Sequence, residues 1–300
     1  MSSEKRNAAI HDLGYQRYVG TRRPQHTRYQ VIVRNLVSMS WRGWWRYKLS
    51  LSIAAMIMVG IGVGIYFSRH ELFEAAQMGG QVRTIADSLI PQSFRFLGFA
   101  ALTLNLTVLA SAISRDLQAG AFEFYFSRPV RPVDYVVGKI GGAFVLLAPI
   151  LLLAPVLLTV YRLAMTGDMD QISDSLPWIP KALLVGTIAT LANATVALAF
   201  GAITKNPRYA VAGYGAFVFM FGGIIMGISH ALDLPSLEAL NLSSAITGLA
   251  SGVFEVDFLF GTKAPSLEAS CIALAGYISV SVIFILFRVR QAQRAGMGGG

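Results

Sequence analysis

The hydrophobic residues of this chain gather in six long runs that carry almost no charge. Each run is about 20 residues long, which is the length that a helix needs to cross roughly 30 Å of hydrocarbon. Backbone groups in lipid must find their hydrogen bonds within the segment, so we predict a transmembrane helix for every run. The predicted spans are 49–67, 96–113, 140–161, 183–203, 209–228 and 269–287.

The runs divide the chain into three parts and predict an all-α integral membrane fold. Residues 1–48 form a basic leader, 49–287 form a domain of six transmembrane helices, and 288–300 form a tail. A further apolar stretch, 242–254, is too short to span the membrane reliably and predicts a re-entrant or interfacial helix.

The composition agrees with lipid as the main solvent and points to little catalytic chemistry. Hydrophobic residues make up 54% of the chain and charged residues 14%, against roughly 25% charged in a typical soluble domain. The single cysteine, Cys271, lies in an apolar run and cannot form an intrachain disulfide, and no spacing of Cys and His suggests a metal site. We therefore expect a non-enzymatic chain that binds no metal or cofactor itself.

The basic residues lie mostly on one side of the predicted spans. Of the 25 lysines and arginines, 19 share that side: ten in 1–48, four in 114–139, two in 204–208 and three in 288–300. Because lysine and arginine accumulate in cytoplasmic loops, we predict that both termini and the loop 114–139 are cytoplasmic. The pI of 9.8 reflects these basic residues, and anionic lipid attracts such residues at the cytoplasmic face of a membrane. We therefore expect the basic residues to contact the lipid bilayer and not nucleic acid.

The end of the leader, 28–48, mixes apolar residues and tryptophans with arginines. The tryptophans are Trp41, Trp44 and Trp45. An aromatic and basic mixture directly before a span is typical of a helix that lies in the membrane interface. The alternative is an ordinary basic flank with aromatic anchors.

The loop between the second and third spans has the pattern of a short amphipathic helix. Ser114 can cap its start, Pro129 must end it, and Pro132 suits the first position of the next helix. Its apolar face is formed by Leu117, Ala121 and Phe124 and is widened by Phe122, Tyr125 and Phe126. On the cytoplasmic side such a helix can lie on lipid or occupy a groove on a partner protein.

This loop resembles the coupling-helix region of ABC-2 type transporter permeases, the membrane subunits of a class of ATP-binding cassette transporters. That region has an acidic residue, then Gly-Thr-Leu-Glu, an apolar pair, a turn like Pro-Val-Ser-Arg, and a Gly-Lys that opens the third span. Here Asp116 matches the acid, 120–123 (Gly-Ala-Phe-Glu) the second motif, 129–130 (Pro-Val) the turn, and 138–139 (Gly-Lys) the end.

The chain departs from the family pattern in two places. Ala121 stands in place of the threonine, and Arg131-Pro132 stands where Ser-Arg is usual. Arg128 and Arg131 are therefore both candidates for the arginine of the turn. The resemblance implies that residues of this loop dock an ATPase subunit, namely Asp116, Gly120, Phe122, Glu123, Phe124, Arg128, Pro129 and Arg131.

The resemblance also implies a mechanism and a setting. Such a permease pairs with a second permease chain, as a homodimer or a heterodimer, and with two copies of an ABC ATPase subunit whose closure on ATP moves the spans through the loop helix. It implies a bacterial cytoplasmic (inner) membrane. ATP and Mg²⁺ would bind to the ATPase, and this chain has no GxxxxGK[ST] phosphate loop, because Val133 and Ile140 occupy the required positions around Gly138-Lys139.

Several polar side chains fall within the predicted spans, where lipid makes unpaired polar groups costly. Asn105 lies between Thr103 and Thr107 in the second span, and Asn193 lies in the fourth. These residues either line a translocation pathway or form hydrogen bonds between helices.

Two other functions are compatible with the same sequence. One is a secondary carrier or channel without a nucleotide partner, although no ionisable residue lies near the middle of a predicted span, as ion-coupled carriers usually require. The other is a membrane scaffold that recruits a cytoplasmic protein through the loop 114–139.

Overall fold

The structure contains six helices that are long and apolar enough to cross a membrane. It is a computed structural model that describes residues 27–43, 45–69, 79–126, 130–165, 176–256 and 264–297. Regular structure in these ranges is helical throughout, as predicted. The spans, numbered first to sixth below, are Arg46–Phe67, Ser88–Gln118, Pro132–Ala164, Trp178–Ile203, Pro207–Leu232 and Leu267–Arg294.

The helices extend beyond the apolar runs that predict them. The second span begins at Ser88 and continues to Gln118, and the third runs from Pro132 to Ala164. The apolar run marks only the part that hydrocarbon can surround, whereas the backbone hydrogen bonds of a helix continue into polar sequence until a turn or a proline interrupts them.

The second, third and fourth spans form the core of the bundle. In the second and fourth spans, 61% of the most apolar stretch is buried, against 11% in the fifth and 22% in the first and sixth. The outer spans expose large apolar side chains, for example Met56, Phe219 and Ile272. Such broad apolar surfaces mark contact with a membrane, so the chain is an integral membrane protein.

Three of the spans contain a π-helical turn, in which the backbone hydrogen bond skips one residue further than in an α-helix. These turns are Asn105–Leu109 in the second span, Pro149–Leu153 in the third and Phe217–Phe221 in the fifth. All three lie near the cavity described below, to which the third and fifth spans contribute residues of their π turns.

The N-terminal helix, Arg28–Arg42, packs along the first turns of the third span. Two glycines allow the close approach, because a Cβ atom added at Gly138 would lie 2.7 Å from that of Ile32, and one at Gly142 would lie 2.9 Å from the Leu36 side chain. A helix therefore occupies the segment predicted for it. Its position in the membrane interface stays a prediction.

The two ends of the bundle differ in charge. The basic end holds the N-terminal helix, the connection between the second and third spans, and the turn between the fourth and fifth. There Arg288 of the sixth span donates to the carbonyl oxygens of Ala202 and Ile203 at 3.1 and 3.4 Å. These two carbonyl groups lie at the end of the fourth span, where the helix itself supplies no donors for them.

The opposite end is closed by a buried helix, Leu242–Phe254, between the fifth and sixth spans. Asn241 caps this helix by accepting hydrogen bonds from the backbone of Ser243 and Ser244. The helix packs against the second and sixth spans, and its 13 residues lie between the end of the fifth span and the start of the sixth. The helix therefore does not cross the membrane, which agrees with the prediction that this apolar stretch is too short to span it.

Candidate functional site

The connection between the second and third spans folds as a helix extension, a sharp turn and a second short helix. The second span continues to Gln118, Gly120 takes up a left-handed conformation with φ of 63°, and a short helix, Ala121–Phe126, follows. We call this short helix the loop helix. Glycine suits the turn because it has no Cβ atom to clash in the left-handed region.

The predicted start of this helix at Ser114 is wrong. Ser114 lies within the second span, is fully buried, and its hydroxyl donates to the carbonyl oxygen of Ser111 at 3.1 Å instead of capping a helix. A serine in mid-helix can bond back to its own backbone, so its presence did not mark a boundary. The predicted role of Pro132 is confirmed, since it is the first residue of the third span.

Aromatic side chains fasten the loop helix to the third span. The rings of Phe122 and Tyr125 lie 5.0 and 5.6 Å from the ring of Tyr135, centre to centre. Tyr135 is fully buried, and Phe122 is 6% exposed. Tilted aromatic pairs at these distances add about 0.5–1.5 kcal/mol each beyond the area that they bury.

A polar junction joins the second and third spans directly beneath these rings. The Tyr135 hydroxyl donates to Oδ2 of Asp116 at 2.6 Å, and the Lys139 Nζ lies 2.8 Å from the same oxygen. Lys139 also donates to the carbonyl oxygen of Ala112 at 3.4 Å. We refer to Asp116, Tyr135 and Lys139 as the junction.

The junction is largely shielded from solvent. The side chain of Lys139 is 5% exposed and that of Asp116 is 18% exposed. Removing one member of a buried ion pair costs about 3–5 kcal/mol, because the other charge stays buried without its partner. Asp116 therefore faces inwards and holds two spans together, and it does not lie on the outer surface of the loop.

The environment of the loop helix also acts on Tyr125. Partial burial raises the pKa of the Tyr125 phenol, the negative charge of Asp116 raises it further, and a side-chain hydrogen bond with Asn35 of the N-terminal helix acts in the opposite direction. Tyr125 therefore stays protonated. The loop helix, the junction and the N-terminal helix form one electrostatic neighbourhood.

The other predicted docking residues fall into three groups. Gly120 and Arg131 are exposed, and the backbone N–H of Arg131 donates to Asp134 at the start of the third span. Glu123 and Phe124 lie in the loop helix, but the structure describes only their backbone. Arg128 and Pro129 lie outside the described residues.

Two of the four predicted lining residues meet inside the bundle. The Asn105 Nδ2 donates to Oδ1 of Asn193 at 3.1 Å and to the Tyr214 hydroxyl at 2.8 Å. Thr103 and Thr107 do not join this group, because each hydroxyl donates to a carbonyl of its own helix. We call Asn105, Asn193 and Tyr214 the amide cluster, and it links the second, fourth and fifth spans.

A cavity of about 360 Å³ lies beside the amide cluster. It is bounded by the second and fifth spans and by the helix Leu242–Phe254. Asn193 and Tyr214 form its polar floor, and its rim contains the exposed rings of Phe99 and Phe219. The size is typical of small-molecule sites, so this is the candidate binding cavity.

Three residues of these sites, Tyr135, Lys139 and Tyr214, were not among the predicted site residues, although Lys139 belongs to the Gly-Lys pair that ends the loop motif. The first two carried a usable signal, because they lie four residues apart on one helix face, and Lys139 has the charge opposite to that of Asp116 at the facing end of the preceding span. Tyr214 carried little signal, since one tyrosine in an apolar span is common. Its importance depends on its neighbours in space.

No family model matches this chain, and no curated protein matches it either.

Proposed function

We propose that this chain is the permease subunit of an ABC-2 type, ATP-driven transporter. In this proposal a separate ATPase subunit docks on the loop helix, and a second permease chain completes the transporter. The observation that supports it best is the attachment of the loop helix to the third span through the rings of Phe122 and Tyr125, next to the Asp116–Lys139 ion pair that joins the second and third spans.

The attachment matters because a coupling element must transmit displacement. A six-residue helix on a flexible loop would move without moving the spans. Here the rings pack on Tyr135, and the ion pair ties the end of the second span to the start of the third. A displacement of the loop helix would therefore move the second and third spans, two of the three core spans, together as a rigid unit.

The second span connects the two candidate sites. It carries Asp116 at the basic end and Asn105 of the amide cluster 11 residues earlier, which is about 16 Å along a helix. Movement of the loop helix would thus shift the second span against the fifth and change the shape of the cavity. ATP hydrolysis in the partner would then drive movement of a molecule through the membrane.

The orientation of the loop can be tested with cysteine labels. Gln118 and Ser236 are exposed at opposite ends of the bundle, and replacing the native Cys271 by alanine supplies a background without other thiols. We expect a membrane-impermeant maleimide to label Ser236→Cys in intact cells and Gln118→Cys only after permeabilisation. Labelling of Gln118→Cys from outside would overturn the proposal.

Docking can be tested by affinity purification from gently solubilised native membranes. The proposal expects a co-purifying ATPase with a phosphate-loop sequence, lost in the Glu123→Ala/Phe124→Ala variant while the permease remains inserted. A matched control is Leu267→Ala/Glu268→Ala, which removes an adjacent apolar and acidic pair at the opposite end. Retention of a fully coupled ATPase by the first variant would reject the docking site and favour a carrier, a channel or a scaffold.

A further inference from the structure

The cavity beside the amide cluster has an aromatic wall and an exposed rim. The rings that line it belong to Phe94, Phe99, Phe217, Phe219 and Phe221. Gly98 and Gly223 also line it, and an added Cβ atom at either position would meet nothing within 4 Å. The cavity is therefore open beside the second and fifth spans, where an apolar molecule can enter from lipid.

Hydrogen bonds fix the orientation of both amides in the cluster. The Asn193 Nδ2 donates to the carbonyl oxygen of Ala189 at 3.0 Å, so reversing this amide would place two oxygens against each other. Asn193 therefore turns its oxygen towards Asn105. Asn105 must present its NH₂ group, and both hydrogens of that group are used, one by Asn193 and one by Tyr214.

This orientation leaves the Tyr214 hydroxyl with an unused hydrogen. The phenol oxygen accepts from Asn105, and no acceptor for the phenol hydrogen lies within hydrogen-bond distance among the described residues. Tyr214 is 1% exposed and lines the floor of the cavity. A buried donor without an acceptor is costly, and a bound molecule with an acceptor atom would satisfy it.

The floor of the cavity carries no charged side chain. The two charged residues that line the cavity are Arg95 and Glu238. Arg95 lies ten residues before Asn105, about 15 Å along the second span, and Glu238 lies beyond the end of the fifth span. Burying a charge without a partner is strongly unfavourable, so the part of a ligand that reaches Tyr214 must be uncharged.

We propose that the cavity binds a lipid-like molecule, an apolar chain with an uncharged carbonyl group, and that Tyr214 donates a hydrogen bond to that carbonyl oxygen. The aromatic side chains of the cavity contact the apolar chain of the ligand, and the hydrogen bond from Tyr214 sets the depth at which the ligand's carbonyl group lies. The inference rests on the proposed function at one point: if the chain is a permease subunit, the bound molecule is the transported cargo. Binding itself requires no ATPase.

Photolabelling of the purified full chain in nanodiscs tests this inference. The probe is the methyl ester of a long-chain fatty acid with a diazirine on its chain, and the comparison probe is the same diazirine alkane without the ester. We expect the ester to label peptides of 94–102 and 217–226 more strongly than the alkane does. Tyr214→Phe should weaken competition by unlabelled ester about 2- to 10-fold, as a lost neutral hydrogen bond implies, and should leave the alkane unchanged.

Two further variants separate a specific effect from misfolding. Tyr277→Phe removes a phenol that does not line the cavity and donates to the Leu240 carbonyl, keeps the ring that packs on Phe217, and should leave ester labelling unchanged. Gly98→Leu extends a side chain into open space and should abolish labelling by both probes. Equal labelling by ester and alkane in the unmodified protein, or unchanged ester competition in folded Tyr214→Phe, would overturn the inference. Either result would leave ATPase docking on the loop helix untouched.

Discussion

The junction and the amide cluster both hold spans together, but they use different chemistry at different depths. The junction pairs full charges, Asp116 with Lys139, at the basic end where the second span stops and the third begins. The amide cluster uses neutral groups, Asn105, Asn193 and Tyr214, within the bundle. A charge near the membrane edge can be paired and partly hydrated, whereas deeper in the bundle neutral groups avoid the cost of burying a charge.

The two regions also differ in how completely they satisfy their polar atoms. In the junction, Asp116 accepts from a phenol and an ammonium group, and Lys139 has a second acceptor in the Ala112 carbonyl. In the amide cluster, the Asn105 Oδ1 has no hydrogen-bond partner among the described residues. A satisfied network resists rearrangement, and an incomplete one is open to a ligand or to movement. In the proposed transporter, the junction would transmit force and the amide cluster would respond to it.

Breaking the junction should have the largest effect on stability. Replacing Lys139 by methionine leaves the Asp116 carboxylate largely buried without its cation, and we expect a loss of about 3 kcal/mol in the free energy of unfolding. Denaturant titration in mixed micelles measures it. The double variant Asp116→Asn/Lys139→Met should recover most of this loss, because it removes both charges and keeps an acceptor for Tyr135.

A second ion pair supplies the control for this prediction. Lys181 lies 3.6 Å from Glu255 at the opposite end, where Glu255 is 82% exposed. Solvent screens such a pair, so Lys181→Met should change stability little. Equal effects of Lys139→Met and Lys181→Met would show that the junction contributes no more than a surface pair.

Breaking the amide cluster should cost less. Asn105→Leu removes both of the hydrogen bonds that Asn105 donates but introduces no unpaired charge, and interhelical hydrogen bonds in membranes contribute about 0.6 kcal/mol on average. We expect a loss of about 1 kcal/mol in the same titration. Thr103→Val is the matched control, since its hydroxyl bonds only within its own helix. A loss in Asn105→Leu as large as that in Lys139→Met would reverse the comparison.

The six spans could be predicted because length and missing charge are properties of one continuous segment. Asn105 and Asn193 could be named for a related reason, since a polar residue within an apolar run is visible in the sequence alone, and Asp116 could be named through the resemblance of its loop to the coupling-helix region. Their partners could not. Tyr214 is 109 residues from Asn105 along the chain, and nothing in either segment shows that their helices touch.

The loop shows a second limit of sequence reasoning. Ser114 has the residue type of a helix cap, and Gly120 has the type of a helix end. Only Ser114 was predicted as the boundary between the second span and the loop helix. The backbone turns at Gly120 because the left-handed conformation costs glycine least, whereas Ser114 is fully buried and continues the helix of the second span.

The smallest expected effect concerns pH and tests the loop helix separately from the junction. The pKa of Tyr125 is raised in the folded protein above its usual value of 10.0. The unfolded chain therefore loses this proton first as the pH rises, so the contribution of Tyr125 to stability is complete below about pH 10 and is lost as the pH passes the folded pKa. We expect the melting temperature of the unmodified protein to fall more steeply above about pH 10 than that of Tyr125→Phe, which has no proton to lose. Parallel curves for the two proteins would mean that the Tyr125 phenol is hydrated and that burial and the charge of Asp116 do not affect its ionisation.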